Sequence, residues 1–183
     1  MPVLDGSAIE FLERITEIGI KDQNKHRREV VVLKEVKIDL GDKSVALIPH
    51  DGRVFDFYID FKNSFISEQR FCFDLENDSF EKEIARARTF GFFEEISFLK
   101  NLGFAKGGSL ENAVVIKDNK VLNDDGLRFP DEFVRHKILD AIGDLYTAGM
   151  PIRGKFIGRC SGHSLNNQLL KLLFSDESNF MVR

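Results

Sequence analysis

The hydrophobic positions change period several times along the chain, and each change marks an element. Ile9, Leu12, Ile15 and Ile18 recur at near-helical spacing behind the capping oxygens of Asp5-Gly6-Ser7, and Gly19 is placed to close that helix. From Arg28 the texture is β. Val30-Val31-Val32-Leu33, Val36 and Ile38 precede a Gly41-Asp42 turn, and Val45, Leu47 and Ile48 follow it, which predicts a hairpin. Phe55, Phe57, Ile59 and Phe61 alternate with Asp56, Tyr58 and Asp60, and Phe71 and Phe73 repeat the alternation, so an antiparallel sheet with one covered face is expected.

Helical spacing returns after Ser79 with Phe80, Ile84 and Ala87, and a further helix is predicted over 94–102. Val114-Val115-Ile116 and Val121-Leu122 flank Asp118-Asn119 as a second hairpin. The longest helix is predicted over 130–148, with Pro130 in its first turn and Gly149 and Pro151 ending it. A strand over 155–159 and a helix over 164–174, with Leu165, Leu169, Leu172 and Leu173 facing inward, complete the pattern. The expected fold class is α/β of the α+β kind: a layered sandwich of helices on a mainly antiparallel sheet.

Composition narrows the function. At 183 residues, 43% of them hydrophobic, the chain is long enough for one well-buried core. Its 30 acidic and 26 basic residues give a net charge of -4 with no basic stripe, which argues against nucleic acid as a partner. Cys72 and Cys160 form no CxxC pair and are read as core thiols of a cytoplasmic protein. No apolar run approaches the roughly 18 residues that span a bilayer, so no transmembrane segment is expected. The 18 Phe residues, without any Trp, supply apolar core area rather than chemistry.

Chemistry is concentrated on the longest helix. Val134, Ile138, Ala141, Ile142 and Leu145 form its buried stripe and leave His136, Asp140 and Asp144 on the other face. Residues four apart are separated by about 6 Å along the axis and about 40° around it, so His136 and Asp140 could aim at one ion. By spacing alone, a solvated face carrying a weak His-Asp pair is the simpler reading. Arg88-Thr89-Phe90-Gly91-Phe92-Phe93 sets two donors beside an aromatic run, either the rim of an apolar site or a helix end in the core. Gly107-Gly108-Ser109 lacks the P-loop lysine and reads as a turn. Ser161-Gly162-His163 places a histidine on a loop before the last helix, from which it could shuttle a proton. His26 and His50 are assigned to the surface.

Taken in order, Ala87 to Phe92, Gly107-Gly108-Ser109, Val121-Leu122-Asn123-Asp124-Asp125-Gly126-Leu127-Arg128, Phe133-Val134-Arg135-His136-Lys137 with Asp140, and Ser161 to Asn167 resemble the UDP-3-O-acyl-N-acetylglucosamine deacetylases, zinc enzymes of lipid A biosynthesis. The resemblance runs from Pro2 nearly to the C-terminus and implies two layered domains with the active site between them. Residues 1–22 would be the terminal helix of a first domain that is otherwise missing from this chain. Residues 23–183 would be the second domain, with residues 93–116 as a βαβ-like insert forming an acyl passage. The family's Glu-His dipeptide, third zinc ligand and general base, has no match here.

The resemblance further implies Zn2+ on His136 and Asp140, His163 as acid toward the leaving amine with Asp144 orienting it, and Thr89 as donor to the oxyanion. Lys137 would meet the nucleotide of an acylated UDP-amino sugar, and Phe90 would stand at the passage mouth. Ile96, Leu99, Ala105, Gly108, Ser109 and Val115 would line the passage. Two other readings remain at this point: a non-catalytic fragment or paralogue that binds nucleotide sugar or acyl chain, and a truncated product without function of its own.

Overall fold

The structure is a computed structural model that describes residues 2–62, 65–96, 103 and 107–183. Helix α1 (Ile9–Ile18) precedes strands β1 (Val30–Val32), β2 (Val36–Leu40), β3 (Lys43–Ile48), β4 (Arg53–Ile59) and β5 (Gln69–Asp74). A short α2 (Phe80–Glu83) leads to β6 (Phe90–Phe92), β7 (Val114–Lys117) and β8 (Lys120–Val121). The chain then forms α3 (Glu132–Tyr146), β9 (Ile152–Arg159), α4 (His163–Phe174) and β10 (Phe180–Val182).

Strand β9 is the spine of the main sheet. It pairs antiparallel with β3 from Ser44↔Arg159 to Ile48↔Lys155, and parallel with β4 from Arg53↔Gly154 to Tyr58↔Arg159. Its first residues, Ile152 and Arg153, pair parallel with β1, which carries β10 antiparallel. Strands β2 and β5 are antiparallel partners of β3 and β4. Most pairings are antiparallel, as expected, but the sheet is mixed. The parallel β4–β9 neighbours follow from the long crossover through α3, since parallel strands need a connection of a dozen residues or more.

Helices α3 and α4 cover one face. Phe133, Val134, Ile138, Ala141 and Leu145 from α3, with Leu165, Leu169, Leu170 and Leu173 from α4, pack in one core with Leu47, Phe57, Phe73 and Phe156. The expected α4 stripe is corrected at one position. It is centred on Leu169 and Leu173, so Leu172 falls at its margin and is exposed while Leu170 is buried. The opposite face of β4 is not left to solvent either. Asp56 is buried there and accepts from Arg70 (2.9 and 2.8 Å) and Lys155 (2.9 Å). The Arg70 hydrogen bond holds its carboxyl below the usual range, against the opposing effect of burial. Because Phe71 and Phe73 turn inward, Cys72 between them faces outward, and it is exposed rather than a core thiol.

Other boundaries moved for local reasons. Pro130 lies before α3, whose first residue is Glu132, and β9 begins at Ile152 although Pro151 and Gly154 make that stretch read as loop. The three-residue β10 carries too short a pattern to predict. Helix α1 is N-capped by Ala8 without a side-chain cap bond, while Gly19 closes it at φ 87° by donating to the Ile15 carbonyl. No residue of α1 is buried, and Ile15 and Ile18 are exposed. Among the described residues no helix is long and apolar enough to cross a membrane.

A second, small sheet carries the insert. Strands β6 and β7 run parallel from Phe90↔Val114 to Phe92↔Ile116, the pairing a βαβ-like unit requires. Strands β7 and β8 form the predicted hairpin, with Asp118 and Asn119 at φ 49° and 56° as in a type I′ turn. Residues 93–96 are helical, and the rest of the helix expected over 94–102 lies outside the described residues.

Close packing at β9 yields a stability prediction. A Cβ on Gly158 would stand 2.7 Å from Phe57 Cε2 and 2.9 Å from Phe156 Cε1, two rings with almost no exposed surface and no room to retreat. Gly158→Ala is expected to cost about 1–3 kcal/mol, read as a lower urea midpoint at unchanged m-value. Gly143→Ala on α3, where nothing lies within 4 Å, is the control and should be neutral or stabilising.

Candidate functional site

The carboxyl ends of the parallel strands β4 and β9 open into a cleft of about 480 Å3, the position where open α/β sheets place ligands. Asp60 and Phe61 follow β4, and Cys160 and Ser161 follow β9. The β2–β3 turn adds Asp42 and Lys43, and α3 contributes His136, Lys137 and Asp140. Thr89, Phe90 and His163 complete the wall. Asp42, Lys43 and Asp60 carry no local signal for a site, because they stand at the ends of strands distant in sequence from α3; only tertiary folding brings them here.

The face of α3 that carries His136 and Asp140 is not a solvated one. His136 is buried, and its Nδ1 lies 3.0 Å from the Ala87 carbonyl. A carbonyl only accepts, so Nδ1 donates to it, and Nε2 is the ring nitrogen turned toward Asp140. That Nε2 is 3.3 Å from Asp140 Oδ1, while Lys137 Nζ donates to Asp140 Oδ2 at 3.1 Å. Burial raises the Asp140 carboxyl, but His136 and Lys137 outweigh it and hold the pKa at about 2. An imidazole with one ring nitrogen anchored on a carbonyl and the other beside an ionised carboxylate is a donor set chemically suited to Zn2+. Among the described residues no group of three or more His, Cys, Asp or Glu side chains is placed to hold an ion, so the pair could supply two ligands but not a closed site.

His163 is the first residue of α4 rather than a loop residue, with Gly162 as N-cap. Its Nδ1 lies 2.9 and 3.0 Å from the two Asp144 oxygens, and Asn166 donates to Asp144 at 2.8 Å. Asp144 thus stands two turns beyond His136 on α3 and holds the imidazole from behind. His26 and His50 are exposed, as expected, and neither lines the cleft.

A second cavity of about 450 Å3 adjoins the first. Phe90, Ile96, Gly108, Ser109 and Val115 line it together with Gly91, Phe93, Leu110 and Leu122, so its wall is largely apolar. Leu99 and Ala105 lie outside the described residues. Thr89 and Phe90 line both cavities. The Phe90 ring packs edge-on against Phe133 and His136, with centroids 4.9 and 6.4 Å away.

Of the two readings open for the stretch from Arg88, the interior one holds for Arg88 itself. It is buried and ion-paired with the wholly buried Glu132 at 2.9 Å and with Asp125 at 2.8 Å. The Asn123-to-Arg128 stretch is built around such contacts. Asn123 accepts from Val115 N and donates to the Leu110 and Ala113 carbonyls, which pins the groove wall. Arg128 ties the N-terminal segment down by donating to Asp5 at 2.7 Å. Buried polar residues of this kind read as surface in a sequence.

The comparisons with known proteins agree with this architecture. Proteins named UDP-3-O-acyl-N-acetylglucosamine deacetylase are similar over nearly the whole chain: that of Campylobacter hominis is 45% identical over 98% of this chain, that of Campylobacter fetus subsp. fetus 46% over 98%, and that of Vibrio parahaemolyticus 46% over 97%. The chain covers 61%, 61% and 59% of the length of those relatives. The profile of the UDP-3-O-acyl N-acetylglycosamine deacetylase family matches residues 1–175, and the chain belongs to that family.

Proposed function

We propose that this chain carries the second, metal- and substrate-binding part of a cytoplasmic zinc-dependent deacetylase. Its reaction is hydrolysis of the N-acetyl group of UDP-3-O-(3-hydroxyacyl)-N-acetylglucosamine, releasing acetate, in lipid A biosynthesis. The observation that carries this reading is the wall shared by the two cavities. Thr89 and Phe90 separate a polar cleft holding His136, Asp140 and His163 from an apolar groove, which suits a substrate with a sugar head and an acyl tail. Each tail methylene removed from water in the groove contributes about 0.8 kcal/mol.

In this reading His136 and Asp140 hold zinc, which when bound polarises the amide carbonyl and acidifies the attacking water. His163, oriented by Asp144, protonates the leaving amine, and Thr89 donates to the developing oxyanion. Lys137, whose ammonium here neutralises Asp140, is the cation for the nucleotide part. Phe90 closes the mouth of the groove, and Ile96, Leu99, Ala105, Gly108, Ser109 and Val115 form its lining. The third ligand and the general base come from outside residues 1–183. The exposed isoleucines of α1 and the greater length of the relatives support residues 1–22 as the closing helix of a first domain and residues 23–183 as the second.

The chain alone is expected to release no measurable acetate from the acylated UDP-amino sugar in the presence of zinc. Joined to the N-terminal two fifths of the Campylobacter hominis relative, it is expected to do so. A folded, zinc-loaded chimaera that fails to release acetate would overturn the deacetylase reading. Two ligands without a third among the described residues favour binding without hydrolysis as the second reading. Acyl-ligand binding that survives chelation, from a chimaera without acetate release, would select it.

A further inference from the structure

One helical turn before His136 stands a carboxylate with no exposed surface. Four donors converge on Glu132. Oε1 accepts from the Arg88 backbone N–H at 3.0 Å and Arg88 Nε at 2.9 Å, and Oε2 accepts from Arg88 Nη2 at 3.2 Å and the Arg128 backbone N–H at 2.6 Å. A carboxylate offers about four lone-pair sites, so this one is saturated. The Arg88 guanidinium directs its remaining donors to Asp125 Oδ2 at 2.8 Å and the Gly126 carbonyl at 2.6 Å.

Stability calls for an acceptor of the Arg88 and Arg128 backbone N–H groups but not for the ion pair itself, because apolar side chains of similar volume commonly replace a buried ion pair without loss. What they would lose is direction. The residue before Arg88 presents its carbonyl to His136 Nδ1, and the residue after it, Thr89, donates to the Gly6 carbonyl and accepts from Val114 N. Glu132 and His136 are four apart on α3, so the Arg88–Glu132 pair and the Ala87–His136 bond are successive links between the same helix and the same segment.

We infer that the buried Arg88–Glu132 pair is a positioning element of the metal site: it holds the Ala87 carbonyl against His136 Nδ1, and so sets the tautomer and ring direction that present Nε2 beside Asp140. Arg88 and Glu132 touch no substrate and act through Ala87, His136 and Thr89. The inference rests on the reading of His136 and Asp140 as metal ligands.

The test uses the 183-residue chain, titrated with Co2+ to follow its ligand-field absorption, with the His136 tautomer read separately by long-range 15N–1H NMR in metal-free alkaline buffer. The double variant Arg88→Met/Glu132→Leu removes the ion pair but leaves the Arg88 and Arg128 backbone N–H groups without their acceptor, so its thermal midpoint is expected to fall; at temperatures where it stays folded it should bind cobalt about 10- to 100-fold more weakly and show both tautomers where the parent shows Nδ1–H alone. Asp125→Asn leaves Glu132 in place and alters only an exposed partner, so it is the milder variant; its affinity should fall several-fold at an unchanged midpoint. An unaltered tautomer with unaltered cobalt affinity, in either variant where it stays folded, overturns the positioning role. So does an affinity that falls only as the variant unfolds. His136→Ala separates the two ways of failing. Cobalt binding undiminished in that variant removes the metal reading and leaves the tautomer to decide, whereas loss there without loss in the double variant removes only the positioning role.

Discussion

His136→Ala is expected to weaken zinc binding to this chain by more than about 100-fold, and His163→Ala to leave it within about twofold. Both imidazoles line one cleft, and the difference lies in what each nitrogen already does. His136 gives Nδ1 to a backbone carbonyl and keeps Nε2 for the space beside Asp140, so removing it takes away a ligand together with its fixed direction. His163 has Nδ1 on Asp144, is largely exposed, and among the described residues has no carboxylate partner but that one, which suits a group that moves a proton rather than one that holds an ion. Asp140→Asn should follow His136→Ala, because the carboxylate held at a pKa of about 2 is the charge that offsets the cation. Isothermal titration with zinc checks all three. Equal affinity in His136→Ala would refute its assignment as a ligand, and a comparable loss in His163→Ala would make it a ligand and leave the leaving amine without an acid.

The elements that bury one apolar stripe or one alternating face were legible before the fold was seen. The α3 stripe of Val134, Ile138, Ala141 and Leu145, the β2–β3 hairpin at Gly41-Asp42 and the β7–β8 hairpin at Asp118-Asn119 are local patterns with a single solution. Register across the sheet was not legible, because β9 takes three partners and nothing in its sequence says that two of them run parallel. The site divides in the same way. The spacing of His136 and Asp140 was visible, but spacing cannot separate a buried pair from a solvated one. The separation comes from the Ala87 carbonyl, 49 residues away. Lys43 and Asp60 reach the cleft only because β3 and β4 flank β9, and the sequence left Arg88 open between rim and core because only its buried partner, Glu132, decides.

That buried arginine leads to the largest stability effect expected of a single side chain. Glu132→Ala should destabilise the protein by about 3–5 kcal/mol, which for a chain of this length lowers the thermal midpoint by roughly 10 °C. The guanidinium of Arg88 keeps its charge, since Glu132 and Asp125 raise its pKa beyond the opposing effect of burial. Removing Glu132 therefore leaves a buried cation with only Asp125 and the Gly126 carbonyl, and strands the Arg88 and Arg128 backbone N–H groups that the carboxylate had satisfied. The Arg70–Asp56 pair supplies the comparison. Its bond lengths are similar, but the Arg70 side chain is 69% exposed and Lys155 remains 2.9 Å from Asp56 when Arg70 is gone. Arg70→Ala should therefore cost no more than about 1 kcal/mol. Urea unfolding of the two variants separates burial from pairing as the source of the effect. Similar losses in both would mean that the ion pairs act as equivalent surface contacts, and that the interior carboxylate at the start of α3 has no special weight in the fold.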